Sequence, residues 1–363
     1  MRKRLNLYVL TSFLLLASCS TGTSHPLKDY VTNMNMKSDD FNVLQLTDLH
    51  YSVTTDIKLT NDYVKALVNH ANPDLIVITG DSFICSSKGV VKSLFSLFES
   101  FSIPYLVLWG NHDFEGDYSV NWLNNYLSSQ YYAINNVLDD DIDGYTNQVI
   151  NINKENKTIY QIYGLDSGRN IYQKGDGYCY DYIRDSQVDW YKKQCEDVKA
   201  KEGVAVPNIA FAHIPLWEYV YRYYEMDNSR TGSILGSIDE TGTFDVKGLT
   251  DDNDGVPFWP GGVHSRFFEV GKENNLRAFF AGHDHSNDWV DSYQGVTLGY
   301  GVKSSREQYY SSKNDSRSYD KLGGSIVSIN KDQSYQIEHF YLDYESLDSG
   351  YFTIISEKSE VLK

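Results

Sequence analysis

Short apolar runs alternate with amphipathic stretches over residues 41–108, and this alternation restricts the possible folds more than any other feature of the chain. The apolar runs are rich in residues that favour strands, whereas the amphipathic stretches place apolar residues three and four positions apart, as helices do. Strands and helices that alternate at this spacing form right-handed βαβ units in a largely parallel sheet. The sequence predicts strands at Phe41–Leu46, Leu75–Thr79 and Pro104–Leu108, with helices at Asn61–Asn72 and Val90–Phe101.

The alternation continues as far as Gly282, after which helical periodicity ends and antiparallel strands or hairpins are predicted. The sequence contains no internal repeat. We therefore predict one α/β domain, a sandwich of two sheets, over residues 41–350. Its further predicted strands are Asn147–Asn153, Thr158–Leu165, Ile209–Phe211, Leu276–Phe280, Asp288–Tyr293, Val296–Tyr300, Ser325–Ile329 and Tyr335–Asp343, and its further predicted helices are Gln187–Val198 and Arg266–Glu273.

The amino-terminal segment has the pattern of a secretory signal. Three basic residues precede Leu5–Ala17, an uncharged and mostly apolar run that is shorter than the roughly 20 residues of a membrane-spanning helix. The run ends in Leu-Ala-Ser-Cys19, which resembles the bacterial lipobox, where the cysteine is lipidated and becomes the mature amino terminus. We expect a lipoprotein signal at residues 1–18 and a flexible, polar tether at residues 19–40. An ordinary signal followed by a chance cysteine is the alternative.

These features predict a location outside the cytoplasmic membrane, with a lipid anchor at Cys19. Residues 225–262 are rich in Gly, Ser, Asp and Asn, and a loop of this length within a compact domain is usually a functional lid or an insertion. Residues 351–363 are expected to form a carboxyl-terminal tail. The sequence leaves open whether Cys179 and Cys195 form a disulfide or stay as buried thiols.

The composition is that of a folded but strongly acidic protein. Hydrophobic residues make up 41% of the chain, and 32 Lys and Arg against 49 Asp and Glu give a formal charge of −17. Removal of residues 1–18, which hold three basic residues and no acidic one, would make the charge −20. This acidity argues against general nucleic-acid binding, and any site that handles phosphate would need a strong local positive charge.

Side chains that bind metals follow five of the predicted strands, at the point where each strand ends. Ligand sites in α/β sheets gather at the carboxyl ends of strands, so these five clusters are expected to meet. One such cluster alone would more often be structural, but five in succession favour a metal site. The clusters are Asp48-Leu49-His50, Gly80-Asp81, Gly110-Asn111-His112-Asp113, His213 and Gly282-His283-Asp284-His285.

The ligand chemistry of these clusters is consistent. Imidazole and carboxylate groups with one amide suit Zn, Mn, Fe, Co or Ni, and the absence of thiolate ligands disfavours a structural zinc site. The clusters hold too many ligands for one tetrahedral ion with an open position. Two ions roughly 3.5–4 Å apart, bridged by a carboxylate, would use them all.

The order of these motifs resembles that of the calcineurin-like metallophosphoesterase superfamily, whose pattern is D-x-H, G-D, G-N-H-D/E, H and G-H-x-H. All five blocks are present in order between residues 48 and 285. The resemblance implies a four-layer αββα sandwich of two mixed sheets with flanking helices. It also implies a phosphoesterase that uses two divalent or trivalent metal ions, with Mn, Fe or Zn favoured. Its substrates would be phosphomonoesters or phosphodiesters, attacked by a hydroxide that bridges the metals.

The resemblance also implies a role for each residue of the motifs. Asp81 would bridge the two ions, and His112 would act as the catalytic imidazole that contacts the phosphoryl group and helps protonate the leaving group. Asp113 and Asp284 would orient neighbouring histidine rings. The first ion would be held by Asp48, His50, Asp81 and His285, and the second by Asp81, Asn111, His213 and His283.

Further blocks, such as Leu165-Asp166-Ser167-Gly168 and Gln187-Val188-Asp189-Trp190, resemble the branch related to purple acid phosphatases. Those enzymes carry a tyrosine three residues after the bridging aspartate, where this chain has Ile84, so a tyrosinate–iron colour is not expected. Ser82-Phe83-Ile84-Cys85 after the G-D block also departs from the Asp-Arg-Gly of protein Ser/Thr phosphatases, which disfavours that subgroup.

Several charged residues outside the motifs remain candidates for the site. Arg169 and Arg266 could each clamp a phosphate, although a surface position or an ion pair is the more common role of an arginine. His264 follows the predicted lid and could face the cleft. A catalytically inactive surface lipoprotein that binds metal or phosphate is the alternative to an enzyme.

Overall fold

The computed structural model describes residues 31–135, 141–173, 177–226, 232–238, 243–244, 256–257, 260–305, 322–343 and 352–363. The helices are α1 (Ile57–Ala71), α2 (Lys88–Phe101), α3 (Val120–Ser128), α4 (Asp185–Glu202), α5 (Trp217–Glu225) and α6 (Phe267–Glu273). The strands are β1 (Val31–Asn35), β2 (Asp40–Leu46), β3 (Leu75–Thr79), β4 (Tyr105–Leu108), β5 (Gln148–Lys154), β6 (Lys157–Gly164), β7 (Asn170–Gln173), β8 (Gly177–Tyr180), β9 (Asn208–Phe211), β10 (Thr243–Phe244), β11 (Val256–Pro257), β12 (Leu276–Ala281), β13 (Val290–Tyr293), β14 (Val296–Tyr300), β15 (Gly323–Asn330), β16 (Tyr335–Leu342) and β17 (Ile354–Lys358).

Two large mixed sheets form the centre of the fold. A seven-stranded sheet has the order β1-β5-β6-β9-β12-β14-β13, and a six-stranded sheet has the order β17-β16-β15-β2-β3-β4. Strands β2, β3 and β4 are parallel neighbours, and so are β6, β9 and β12 in the other sheet. The carboxyl ends of each parallel set therefore lie at one edge of their sheet.

The alternation of side chains along the strands explains the layers. Leu75 and Val77 of β3 belong to a core cluster that also contains Ile209 and Phe211 of β9, so this cluster lies between the two sheets. The intervening Ile76 and Ile78 pack with the buried side chains of α1 and α2 on the outer face. On the far side, side chains of α4, α5 and α6 cover the other face of the seven-stranded sheet. The predicted α/β sandwich of two mixed sheets with flanking helices is confirmed.

Every strand and helix predicted from the sequence is present, with ends that differ by at most four residues. The largest difference at a start is in α1, which begins at Ile57 because Asp56 accepts a hydrogen bond from the backbone N–H of Leu59 and caps the helix. The sequence analysis did not anticipate two helices and several short or edge strands. These elements are α3, α5, β1, β7, β8, β10, β11 and β17.

Two of the unanticipated strands lie in segments that were expected to be a tether and a tail. Val31–Asn35 pairs in parallel with β5, and Ile354–Lys358 pairs antiparallel with β16. Both are short edge strands, and their backbone hydrogen bonds come from a partner that is distant in the sequence. Local patterning therefore gives little sign of them.

Other expectations can be compared only in part. Cys179 and Cys195 are both buried and form no disulfide with each other, which answers the question that the sequence left open. Most of the predicted lid at residues 225–262, and the whole predicted signal, lie outside the described residues. Among the residues that the structure describes, no helix combines the length and the apolar character that a membrane crossing requires.

Candidate metal centre

Backbone hydrogen bonds join the loops that follow the parallel strands. The N–H of Asp48 donates to the carbonyl oxygen of Gly80 at 3.1 Å, and the N–H of His50 donates to that of Asp81 at 2.9 Å. In the other sheet, the N–H of Gly282 donates to the carbonyl oxygen of His213 at 3.0 Å. The His213 ring then connects the two sheets, because its Nδ1 lies 2.9 Å from the carbonyl oxygen of Thr79.

One group of four ligand-type side chains lies where β2, β3 and β12 end. The Nε2 atom of His50 is 3.4 Å from Oδ2 of Asp81, and the Nε2 atom of His285 is 3.2 Å from Oδ1 of Asp48. One ligand atom from each of these four residues lies within 4.8 Å of the others. Asp48, His50 and Asp81 are buried, so a cation held here would be largely screened from water.

A second group shares Asp81 with the first. The Nε2 atom of His213 lies 3.3 Å from Oδ2 of Asp81, 3.0 Å from Oδ1 of Asn111 and 3.2 Å from Nδ1 of His283. Asp81, His213 and His283 again place one ligand atom each within 4.8 Å. All seven residues predicted as metal ligands therefore come together, and Asp81 occupies the position between the two groups.

The unsatisfied atoms of the centre fit a pair of cations. Nε2 of His283 is buried and has no hydrogen-bond partner among the described residues, and Oδ1 of Asp48 is buried with Nε2 of His285, 3.2 Å away, as its polar neighbour. Buried polar atoms usually have a partner, and a cation between these side chains would provide one. The donor set consists of imidazole, carboxylate and amide groups without thiolate, which suits Mn, Fe or Zn. The residues present thus fit the two ions that the sequence predicts.

The backbone of the ligand loops is left-handed at several positions. Asp48, His50, Asp81 and His283 have φ values of 54°, 49°, 48° and 75°. Non-glycine residues seldom adopt this conformation, and it concentrates at functional sites. Gly80 has a φ of 91°, and a Cβ atom there would lie 2.5 Å from Nδ1 of His213. The G-D motif therefore requires glycine at position 80, since the His213 ring occupies the space that a Cβ atom would need.

The histidines of the two groups lower the pKa values of both buried carboxylates, Asp48 and Asp81. Burial opposes ionisation of Asp48, but the hydrogen bond and charge of His285 outweigh it and lower the pKa of Asp48 to about 2. Burial likewise opposes ionisation of Asp81, but the charges and hydrogen bonds of His213 and His50 hold its pKa well below the usual value. Both carboxylates are therefore anionic and able to bind cations at neutral pH.

His112 lies beside the first group, with its ring centroid 6.0 Å from that of His50. Its backbone N–H donates to Oδ1 of Asp81 at 2.9 Å, and its Nδ1 lies 2.8 Å from Oε1 of Glu115. The side chain of His112 is 19% exposed, whereas the seven predicted ligands are mostly buried. This position between solvent and the ligand groups agrees with the role that the resemblance implies for His112.

Glu115 is a residue that the sequence analysis missed. The N–H of Glu115 donates to the carbonyl oxygen of His112 at 2.9 Å, and this turn brings the carboxylate beside the imidazole. The sequence analysis instead expected Asp113 to orient a histidine ring. The two carboxylate oxygens of Asp113 accept the backbone N–H groups of Gly110 at 2.7 Å and Phe83 at 2.8 Å. Asp113 therefore holds the ligand loops together through their backbones.

Asp284 also differs from its expected role. Its carboxylate accepts hydrogen bonds from the N–H of Ser286 at 3.1 Å and from the side-chain amide of Asn287 at 2.7 Å. These contacts close the turn that separates His283 from the following strand. The rings of His213 and Tyr180 pack on His283, with centroids 4.9 and 4.4 Å away. No sequence signal marked Tyr180, because β8 was not predicted.

Of the three candidate residues outside the motifs, Arg266 and His264 contact carboxylates, whereas Arg169 contacts an aromatic ring. Arg266 binds Asp185 and Asp189 at 2.7 and 2.6 Å, so it belongs to surface ion pairs. His264 binds the buried carboxylate of Glu218 at 2.6 Å. The guanidinium of Arg169 lies over the ring of Phe114, the residue after Asp113, at 5.5 Å.

Known proteins resemble this chain in sequence and in fold. A protein of Arabidopsis thaliana named probable inactive purple acid phosphatase 14 is 25% identical over 299 residues, which cover 72% of this chain and 69% of that protein. Probable inactive purple acid phosphatase 29 of the same plant is 26% identical over 303 residues, which cover 72% of this chain and 71% of that protein. A dimetal phosphatase from Danio rerio shares the fold, with a TM-score of 0.53 at 12% identity over 82% of this chain and 95% of that chain.

The family assignment follows from the sequence motifs, their convergence in the fold and a match to a family profile. The profile of the calcineurin-like phosphoesterase family matches residues 41–287, which is more than half of the chain. That range contains all five motif blocks and every residue of the two ligand groups. This protein therefore belongs to the calcineurin-like phosphoesterase family and has relatives among the purple acid phosphatases.

Proposed function

We propose that this protein is a dinuclear metal-dependent phosphoesterase that hydrolyses phosphomonoesters or phosphodiesters. The observation that carries the proposal is the meeting of seven ligand-type side chains in two groups that share Asp81. Five loops from two different sheets contribute to these groups. A purely structural role would not require so many buried polar groups to face one another, because each one costs free energy when it is removed from water.

The proposed assignment of ligands follows the two groups. Asp48, His50, Asp81 and His285 would hold one ion, and Asp81, Asn111, His213 and His283 would hold the other. When bound, such a pair of ions supplies positive charge for the phosphoryl oxygens and activates water as the nucleophile. The site then has the local positive charge that the acidic composition lacks.

His112 supplies the proton in the proposed reaction. A hydroxide oxygen attacks phosphorus, the ester P–O bond breaks, and the leaving oxygen takes a proton from the ring of His112. Glu115 accepts a hydrogen bond from Nδ1 of that ring at 2.8 Å and so orients the imidazole. Nε2 is then the ring nitrogen that donates to the leaving group.

A second candidate function is binding of metal or phosphate without turnover. The names of the two Arabidopsis relatives, which include the word inactive, favour this alternative. The presence of His112 beside the ligand groups favours catalysis, because metal binding alone does not require a partly exposed imidazole with a carboxylate partner. The two functions differ in turnover and agree in metal content.

A panel of phosphoesters tests the proposed function. The full-length chain, purified in detergent and supplied with Mn²⁺ or Zn²⁺, is assayed with p-nitrophenyl phosphate and with bis(p-nitrophenyl) phosphate. Hydrolysis of either compound that stops on chelation supports the proposal. If a protein that contains two ions per chain hydrolyses neither these compounds nor a set of nucleotides and sugar phosphates, the binding function replaces it.

The proposed location is the outer face of the cytoplasmic membrane, with Cys19 carrying the lipid. The basic start, the apolar run and the Leu-Ala-Ser-Cys19 sequence support this proposal. In a bacterial host, a fatty-acid analogue should label the wild-type chain, and the Cys19→Ala variant should remain unlabelled. Equal labelling of the two chains would reject the anchor.

A further inference from the structure

We propose that Arg169 positions the substrate by binding an oxygen of its phosphoryl group, and that it favours phosphomonoesters over phosphodiesters. This inference rests on the proposed function. It concerns a residue that lies outside the metal-ligand motifs, in the loop that follows β6.

The fold brings Arg169 to the edge of the sandwich that carries the metal centre. Strand β6 is the parallel neighbour of β9, with Gly164 beside Phe211, so the loop after β6 and the loop that holds His213 leave the sheet together. Oγ of Ser167 accepts hydrogen bonds from the N–H of His213 at 3.2 Å and from that of Ile214 at 2.8 Å. Arg169 follows Ser167 by two residues.

A contact from the opposite sheet fixes the guanidinium. Phe114, whose ring lies 5.5 Å from Cζ of Arg169, follows Asp113 in the loop after β4. This loop also carries His112, whose backbone N–H donates to Asp81. Arg169 thus lies between the loop of the proposed proton donor and the loop that holds His213, and the aromatic ring limits the freedom of its guanidinium.

The charge environment of Arg169 differs from that of three other arginines. Arg184, Arg222 and Arg266 each form an ion pair with an aspartate at 2.6–2.8 Å. Within the part of the chain that the structure describes, Arg169 has no carboxylate partner, and its side chain is exposed. In a chain with a formal charge of −17, a guanidinium without an acidic partner is available to an external anion.

The chemistry of the guanidinium identifies the class of anion. Its planar N–H groups can form two parallel hydrogen bonds to one phosphoryl group. A phosphomonoester has three non-bridging oxygens and two negative charges, whereas a phosphodiester has two such oxygens and one charge. An additional cationic donor beside the metal centre therefore adds more to the binding of a monoester.

The experiment compares the full-length protein and its Arg169→Ala, Arg169→Lys and Arg266→Ala variants, each loaded with Mn²⁺. Arg266→Ala is the matched control, because it removes the same side chain from surface ion pairs. The affinity for inorganic phosphate is measured by calorimetry, and kcat and KM are measured for p-nitrophenyl phosphate and for its bis ester. Metal content and Tm show whether each variant is folded.

Arg169→Ala should weaken phosphate affinity and raise the KM of the monoester roughly 10-fold, as expected for loss of a charge-assisted hydrogen bond, with a smaller change for the diester. Arg169→Lys should retain part of the affinity. Equal phosphate affinity in Arg169→Ala and Arg266→Ala would overturn the inference, and equal changes in the KM of both esters would overturn the preference for monoesters. A wild-type protein that binds phosphate through Arg169 but hydrolyses no ester would instead reject the proposed function.

Discussion

Four of the ligand residues have a left-handed backbone, with φ values of 48–75°: Asp48, His50, Asp81 and His283. This conformation costs roughly 1 kcal/mol or more at each residue. The conformation turns the chain sharply after its strand and directs a ligand-type side chain at the neighbouring loops. Hydrogen bonds between the loops retain it, such as the 2.9 Å bond from His50 to Asp81. Bound cations would add to this stabilisation because they satisfy the buried atoms of Asp48 and His283.

His112 is the residue whose loss should separate chemistry from metal binding. Replacement of His112 by Ala removes the proposed proton donor but none of the seven proposed ligands. We expect turnover to fall roughly 100-fold or more while metal content stays near that of the wild type. Metal analysis of the purified variant beside its rate on p-nitrophenyl phosphate measures both effects. Loss of both ions would show that His112 is needed to hold the metals.

Glu115 should affect catalysis through His112. The substitution Glu115→Gln keeps the size of the side chain but replaces the carboxylate that accepts the hydrogen bond from Nδ1 of the His112 ring. We expect kcat to fall roughly 10-fold with little change in KM or metal content, since general acid catalysis contributes 10²–10⁴-fold in total. Glu196→Gln, an exposed position on α4, is the control. If the two variants have the same kcat, Glu115 has no part in the reaction.

At the scale of elements, each ligand loop depends on the short strand before it. The sequence predicted these strands well, because each one contains a short, mostly buried apolar run between polar residues, and Leu75–Thr79 is buried throughout. The short elements that complete the surroundings of the site were missed. Strand β8 carries Tyr180 against His283, yet its pairing with β7 is set by the folded chain and not by an apolar period.

Gly80, which follows β3, offers a test of how closely the loop after β3 approaches the His213 ring. Gly80 and Gly203 both have positive φ, at 91° and 78°. A Cβ atom at Gly80 would lie 2.5 Å from His213, whereas one at Gly203 would have no neighbour within 4 Å. Gly203→Ala should cost about 1 kcal/mol in the free energy of unfolding, and Gly80→Ala should cost roughly 2 kcal/mol more.

Chemical denaturation of both glycine variants measures this difference, and metal analysis should show lower metal content for Gly80→Ala alone. The two substitutions share the backbone penalty, so their difference isolates the overlap with the His213 ring. Similar stability and metal content in the two variants would contradict the close approach.

At the scale of the whole molecule, the candidate metal centre joins the two sheets. His213 belongs to the seven-stranded sheet and contacts Thr79 and Asp81 of the six-stranded sheet. The formal charge of −17 repels phosphate from the surface as a whole, so binding depends on the positive charge gathered at this one edge. Cations held here would therefore contribute to substrate binding and to the cohesion of the sandwich.

Removal of the metals should lower the stability of the entire domain. One ion present at 100 times its dissociation constant adds about 2.7 kcal/mol to stability, so two such ions add about 5 kcal/mol, and each kcal/mol shifts Tm by roughly 2–4 °C in a domain of this size. Chelation should therefore lower the Tm of the wild-type protein by about 10–20 °C in differential scanning calorimetry. The Asp81→Asn variant, which lacks the shared ligand, should respond little. A wild-type Tm that is insensitive to chelation would mean that the ions do not link the sheets.

The sequence by itself determined the α/β class, the parallel strands and the five clusters of ligand-type residues, because each depends on local periodicity or on residue types placed directly after a strand. The choice of seven ligands among them, and the role of His112, came from the resemblance to the family. Only the tertiary structure decided that Glu115, and not Asp113, contacts the His112 ring, that Tyr180 packs on His283, and that Arg169 lies over Phe114. These contacts depend on turns, edge pairing and the approach of two sheets. Such features bring together residues that are distant in the sequence or on either side of a turn, and no local sequence pattern predicts these contacts.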